Sequence, residues 1–444
     1  MKKHVAIIGA GISGLCTGAL LAKEGIEVTI FEKSARVGGR TISTQFRGHI
    51  LDNGFHIMPF YKTSSVYTIL ADIGVLGRIP LAKVHDISFY QNGQFHRYPK
   101  GLGDILRMSL LPLKSKISLL RILIPMAFSS IKRSEKLDDQ SLDSIISKLE
   151  PRAKSFFDAV CMLAFADTPD RVALGEFVRT IIRANPLRGG TSEFAYPSEG
   201  GYDTICKVLA SYILEQGGKI HFNRKITKVQ IKDGVIRGIV EAGGGITEVD
   251  CVVISYPAYL AVHDLFEEQI LDAEFLNWLD RLHKTTSVVE VHFCLAEKID
   301  TRQIVFPINS GCTAKGIFFV SNISPSVSPP GQQLIMAGTP VSQEYADDAN
   351  KIREITKKMK MELANMYPAF ERSLLWERPM SWKLVEAVVK EPGMVWKKKA
   401  PHQISGINGL FFVGDSTVSY GIGTDSAAHS SLLCHPKILS YLKG

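Results

Sequence analysis

Gly9, Gly11 and Gly14 are spaced as in a turn that receives a diphosphate, and Glu32 stands where an acid would meet a ribose. Gly9 suits the tight turn, Gly11 lets backbone approach the diphosphate, and Gly14 lets a helix pack against a strand. Ile12 and Ser13 open that helix, whose first N–H groups carry partial positive charge and attract phosphate. The Glu32 carboxylate, with Lys33 beside it, can accept both hydroxyls of an adenosine ribose. Arg36-Val37-Gly38-Gly39-Arg40-Thr41 then adds a second glycine turn with bare N–H groups. Arg40 brings a planar cationic fork suited to a phosphate.

These residues need a particular scaffold, and the flanking sequence supplies it. His4 to Ile8 reads as a buried strand, an apolar helix runs on through Leu15, Leu20 and Leu21, and Glu27 to Phe31 reads as a second strand ending at the acid. Strand, tight turn, helix, strand and acid fall in the order that holds a dinucleotide. A nicotinamide domain has no use for the second glycine turn.

The opening resembles that of the flavin amine oxidase and phytoene desaturase superfamily: a glycine fingerprint, an acid, then Arg-x-Gly-Gly-Arg. Within it the chain is most similar to phytoene desaturase-like FAD oxidoreductases. The C-terminal end agrees, with Gly409 to Asp415 reading as a buried strand ending in Gly414-Asp415, and Gly421 to Ala428 as a turn and helix start. The resemblance implies an α/β fold. It would comprise a discontinuous, Rossmann-like FAD-binding domain of glutathione-reductase type and an inserted mixed α+β substrate domain. It implies FAD as cofactor, with Asp415 near the ribityl chain, Thr424 and Asp425 in the turn facing the flavin ring, and the backbone of Ile226 near the adenine. Asp52-Asn53-Gly54-Phe55-His56, followed by Tyr61, matches the D-x-G segment that lines the ring, so Gly54, Phe55 and His56 join the expected site.

The chain of 444 residues is too long for a single core. Expected boundaries put the cofactor domain at 1–90, 196–259 and 405–444, and the substrate domain at 91–195 and 260–404. A helix is predicted over Tyr202 to Gln216, a hairpin over Ile226 to Val240, strands over Ser287 to Leu295, Gly316 to Val320 and Gln333 to Gly338, and a lysine-rich helix over Asp347 to Met366.

Hydrophobic content of 45% and charged content of 22% are those of an ordinary globular protein. The seven cysteines are scattered and never form Cys-x-x-Cys, which argues against a disulfide framework, a zinc site or an iron–sulfur site. No secretory signal is read, because the fingerprint begins almost at Met1, and a reducing cytoplasm is the expected compartment. The net charge of +8 comes without the aromatic interleaving of a nucleic-acid module, so no nucleic-acid partner is expected.

Residues 105–134 contain no acidic side chain but carry Arg107, Lys114, Lys116, Arg121, Lys132 and Arg133. Pro112 suits a helix start, Leu113, Ile117, Leu120 and Ile124 then share one face, and Pro125 interrupts. Two readings fit: an interfacial helix on an anionic membrane, or a surface helix whose apolar face is core.

The sequence offers His56 and Glu290 as candidate catalytic groups. His56 is the polar residue expected nearest the flavin ring. By alignment, Thr424 replaces an aromatic wall of the amine oxidases and Glu290 replaces their lysine. These departures favour hydride transfer between flavin N5 and an apolar, isoprenoid-like substrate over oxidation of an amine with peroxide release. A non-catalytic carrier of prenylated partners has the same first glycines, but Gly38-Gly39-Arg40 and Gly414-Asp415 argue for a bound flavin. No residue of the chain signals its oligomeric state.

Overall fold

The computed structural model describes residues 3–54, 56–59, 63–188, 193–267, 270–308 and 311–444. Its organising element is a five-stranded parallel sheet, ordered Lys219–His221, Glu27–Phe31, His4–Ile8, Cys251–Ile254, Leu410–Phe412. The central strands are Val- and Ile-rich because both faces are covered. Val5 and Ile7 face one core and Ala6 and Ile8 another, following the two-residue period of a strand. Helices Ile12–Lys23, Asp203–Glu215 and Gly423–Lys443 pack together on the first face. The antiparallel strands Ile226–Lys232, Val235–Glu241 and Ile246–Glu248, with helix Ala258–Leu265, cover the second.

A second sheet of seven strands stands apart, ordered Leu374–Trp382, Ser287–Leu295, Gln333–Val341, Gly316–Phe318, Ile304–Pro307, Ile87–Gln91, Gln94–Arg97. Every residue of Ser287–Leu295 is buried, as befits an inner strand flanked on both edges. Ile87–Gln91 pairs in parallel with Ile304–Pro307, so the expected boundary at residue 90 falls inside a strand of this sheet. Its outer face packs on the long helix Ala349–Met366, capped by Asp348.

The segment between the sheets in sequence is helical, and its elements include Leu102–Arg107, Leu113–Ala127, Pro151–Phe165 and Leu174–Ala184. Pro125 does not end its helix as expected, because it lies in the last turn, where few ladder bonds remain to lose. Leu119, Leu123 and Met126 form the buried face of that helix, while Leu113, Ile117 and Ile124 are 65%, 41% and 43% exposed. Of the apolar face read in the sequence, Leu120 packs partly on the core while Leu113, Ile117 and Ile124 stand out, so the main core-facing side is the adjacent stripe. No helix among the described residues is long and apolar enough to cross a membrane.

Candidate active site

The fingerprint turn is built around close backbone contact. A Cβ on Gly14 would lie 2.1 Å from the Gly9 carbonyl oxygen, so only glycine lets the helix start this near the strand. A Cβ on Gly11 would meet nothing within 4 Å, so its outer side faces open space. No side chain caps the helix beginning at Ile12, and its positive end is free for an anion. Ser255, a residue the sequence reading missed, clamps the turn by donating its hydroxyl to the Gly9 carbonyl at 2.7 Å.

Glu32 is buried at the end of its strand. The Ala10 N–H donates to its Oε2 at 2.8 Å, and the Ser34 N–H and hydroxyl both donate to Oε1 at 2.8 Å. The carboxylate thus ties the fingerprint to the following loop and keeps lone pairs for a further donor. Lys33 is exposed beside it. Arg224 N–H donates to the Glu32 carbonyl, which brings buried Ile226 to the same end of the sheet. The second glycine turn sits against the first: Gly38 N–H donates to the Ala10 carbonyl at 2.9 Å, and a Cβ on Gly39 would lie 3.2 Å from Gly11 Cα.

The chain ends meet here. Gly414 has φ +132° and stands where a Cβ would be 3.6 Å from Ser13 Oγ. Asp415 is buried and accepts from Arg40 through both oxygens, and from the Ala387 N–H at 2.7 Å. The neighbouring guanidinium outweighs burial and holds this carboxyl down at about 2. Lys399, fully buried, holds the Asp415 carbonyl at 2.8 Å and the Ser419 hydroxyl at 2.7 Å. Arg40 is therefore occupied by a protein carboxylate, and its expected fork to a phosphate is engaged elsewhere.

Thr424 Oγ1 meets the Tyr202 hydroxyl at 2.9 Å. Asp425 turns away from its neighbours and is consumed by protein partners: Ser64 Oγ at 2.8 Å, the N–H groups of Ser65 and Val66, and Arg183. It holds the turn against helix Ser65–Asp72. The Gly423 N–H donates to Glu386 at 2.6 Å.

Between the two sheets lies a cavity of 410 Å³. Arg40, Gly423 and Thr424 reach it from the cofactor side, and Glu290 and Trp382 from the second sheet. His56 and Glu290, 234 positions apart by their numbers, converge beside Gly54: a Cβ there would lie 3.5 Å from His56 Nε2 and 3.8 Å from Glu290 Oε1. Trp382 Nε1–H donates to Glu290 Oε2 at 3.1 Å. His56 Nε2 lies 3.2 Å from the Asn53 carbonyl, and its ring packs on Tyr202 with centroids 5.3 Å apart. Burial pushes His56 down to about 4, so the ring is neutral near pH 7. Phe55 and Tyr61 lie outside the described residues. Trp382 was not anticipated, because its place on an edge strand shows only through strand pairing.

Open space at Gly11, an uncapped helix start and an acid at the strand end together fit a dinucleotide. The sequence profile described as "Flavin containing amine oxidoreductase" matches residues 12–434. The chain belongs to this family. It is a flavin-dependent oxidoreductase, and the fold is that of its FAD-binding members. Within the family it is 23% identical to the chloroplastic/chromoplastic 15-cis-phytoene desaturase of Glycine max, over 98% of this chain and 79% of that one. It is likewise 23% identical to the phytoene desaturase of Phycomyces blakesleeanus, over 94% of this chain and 82% of that one. Among solved structures it resembles an oxidoreductase from Methanosarcina mazei, with TM-score 0.78 and 21% identity over 98% of this chain and all of the other. It also resembles cyclohexylamine oxidase from Brevibacterium oxydans, with TM-score 0.72 and 15% identity over the whole of both chains.

Proposed function

We propose that this flavin oxidoreductase dehydrogenates a long apolar, isoprenoid-like substrate in the cavity between its sheets. The observation that carries the reading is that cavity: 410 Å³ of mostly apolar lining with the carboxylate of Glu290 on its wall. Relatives named as phytoene desaturases along nearly the whole chain support it.

In this reading Gly9, Gly11, Gly14 and the N–H groups of Ile12 and Ser13 receive the diphosphate of FAD. Gly38 and Gly39 flank it, and Glu32 with Lys33 meets the adenosine ribose. Ile226 offers backbone to the adenine. Gly54, His56, Gly414, Asp415 and Thr424 surround the other half, and Asp425 positions their turn. Bound there, FAD supplies the two-electron acceptor that takes hydride from a C–H bond. The apolar lining excludes water and aligns that bond. Glu290 accepts at Oε1 the proton lost from the adjacent carbon, so that a C=C bond remains. Neutral His56 orients the Asn53–Gly54 turn through the Asn53 carbonyl.

Gly54, His56 and Thr424 line the cavity as well, so the flavin takes part of its 410 Å³ and a long substrate enters the rest by one segment. The reading extends to a lipid surface. Leu113, Ile117, Ile124 and Phe128 are exposed beside Lys114 and Arg121, an apolar and cationic face suited to anionic headgroups. Helix Leu113–Ala127 packs on Pro151–Phe165, whose last residues line the cavity.

The test is anaerobic addition of linear isoprenoid hydrocarbons, in micelles, to the flavin-loaded protein. Bleaching of the visible flavin absorbance is the expected result. No bleaching across a range of chain lengths overturns the proposal, and bleaching by amines with peroxide on readmitting air replaces it.

A further inference from the structure

The cavity face of the seven-stranded sheet carries its side chains in rows that cross the strands. Val288 pairs with Pro340 on one side and Trp382 on the other. Two residues along, Glu290 pairs with Gly338, and Gly338 pairs in turn with Gly316. In the next row Met336 pairs with Phe318. The middle row thus runs from Met380 through the Glu290 carboxylate to two glycines, while both neighbouring rows carry bulk. Residues of all three rows line the cavity.

The result is a trough across the strands. Its bare floor is Gly338, since Gly316 lies buried beneath the Phe318 ring, and its walls stand about 7 Å along the strands on either side. Pro340 forms one wall, and Met336 with Phe318 the other. Glu290, braced by Trp382, closes one end. A Cβ on Gly316 would meet the Phe318 ring at 2.9 Å and the Phe306 ring at 3.5 Å, so aromatic rings close the other.

Nothing in the fold demands the glycine at 338: its φ is not positive, and a Cβ there would lie 3.6 Å from Glu290 Cγ, an ordinary contact, whereas at Gly316 the Phe318 ring leaves a Cβ no room. A glycine inside a strand weakens it and marks a place where something approaches closely. Here what approaches is the cavity itself.

We propose that Gly338 forms the seat of the substrate chain. A slender segment of a linear isoprenoid lies across the strands in this trough, its leading end stopped at Glu290 and Trp382. With the Phe318 ring lying over Gly316, the open floor is one strand wide, and Gly338 and Phe318 together set specificity for a slender methyl-branched chain over a ring-ended one. The assignment rests on the apolar-substrate reading above.

The test uses the flavin-loaded protein and two probes, a linear C15 isoprenoid hydrocarbon and a C15 analogue ending in a ring. Binding is read as perturbation of the flavin absorption spectrum, without turnover. Gly338→Leu is expected to weaken the linear probe at least about tenfold, the scale of one misfit in an apolar pocket. The flavin spectrum and melting temperature without probe stay unchanged. Gly338→Ala gives a smaller loss in the same direction and serves where the leucine variant does not fold. Phe318→Ala admits the ring-ended probe. Binding of the linear probe by both Gly338 variants as tightly as by the unmodified protein overturns the seat alone. Failure of the linear probe to perturb the unmodified protein overturns the apolar-substrate reading, and the seat with it.

Discussion

Arg40 and Asp415 are joined by a two-pronged ion pair across 375 positions of chain, with Nη2–Oδ1 at 2.5 Å and Nη1–Oδ2 at 3.0 Å. Each comes from a motif that the sequence associates with the cofactor. Their pairing fastens the second glycine turn to the C-terminal strand, so the two ends of the chain form one wall. Arg40 also donates to the Val385 carbonyl at 3.1 Å, which adds the segment leading out of the second sheet.

Removing the guanidinium leaves a buried carboxylate behind. Arg40→Ala is expected to lose bound flavin and to destabilise the protein by roughly 2 kcal/mol, less than a fully buried pair because the arginine side chain is 37% exposed. Visible absorbance and a melting curve measure both. The pair also has a pH signature: Asp415 lies below its ordinary 3.8, at about 2, so its contribution is complete above 3.8 and is lost as pH falls to about 2. A variant as stable as the parent, with flavin retained, removes the pair from the account.

Gly11→Ala and Gly14→Ala should fail differently. The methyl group at position 14 collides with the Gly9 carbonyl at 2.1 Å, so that variant is expected to melt far lower or not fold. At position 11 nothing lies within 4 Å, so that variant folds with an unchanged melting temperature and binds FAD poorly. Normal FAD affinity in Gly11→Ala means that the diphosphate lies elsewhere.

Glu32→Ala removes the acceptor for three protein donors as well as the proposed ribose contact. A loss of about 1–3 kcal/mol in stability is expected without added FAD. A further loss of FAD affinity, seen by dialysis and absorbance, separates the cofactor role from the structural one. Affinity equal to the parent's would leave Glu32 a purely structural tie.

Buried histidines should make the fold acid-sensitive. Burial lowers His56, His402 and His429 to about 4 and His292 to about 3, from an ordinary 6.5. The unfolded chain therefore takes up protons first. The histidines' contribution is complete above 6.5 and falls as pH drops through that value toward about 4, opposed in part by Asp52 and Asp138, which burial raises to about 6. The urea midpoint is expected to be lower at pH 5 than at pH 7, and His56→Phe should flatten part of that slope. Equal midpoints contradict the buried neutral state.

Anionic vesicles at low salt are expected to sediment the protein, and neutral vesicles to leave it in solution. Ile117→Asp with Ile124→Asp should abolish sedimentation while leaving the fold intact, since both side chains are exposed. Sedimentation of this double variant at the parent level removes the face from the proposal.

Much of the scaffold was legible because its signals are local. His4–Ile8, Glu27–Phe31 and Ser287–Leu295 form strands over the ranges read from the sequence. Helix Asp203–Glu215 lies within the range predicted from Tyr202 to Gln216. The helix Leu113–Ala127 shows where such reasoning stops. Periodicity finds its apolar stripe but leaves open whether neighbouring helices cover it, and in the fold Leu120 is partly covered while Leu113, Ile117 and Ile124 are exposed.

The sequence by itself determined the nucleotide turn, because glycine spacing, a helix start and a terminal acid are encoded within forty residues and need only local geometry. It also named Arg40, Asp415, His56 and Glu290 as residues of interest. Tertiary structure alone decided what each of them meets. Arg40 finds Asp415, Asp425 finds Arg183 and Ser64, and Glu290 comes to Gly54 and Trp382. The trough at Gly338 is likewise invisible in sequence, since it exists only in the register between strands. Register and burial are set by the packing of the whole chain, and no single segment carries them.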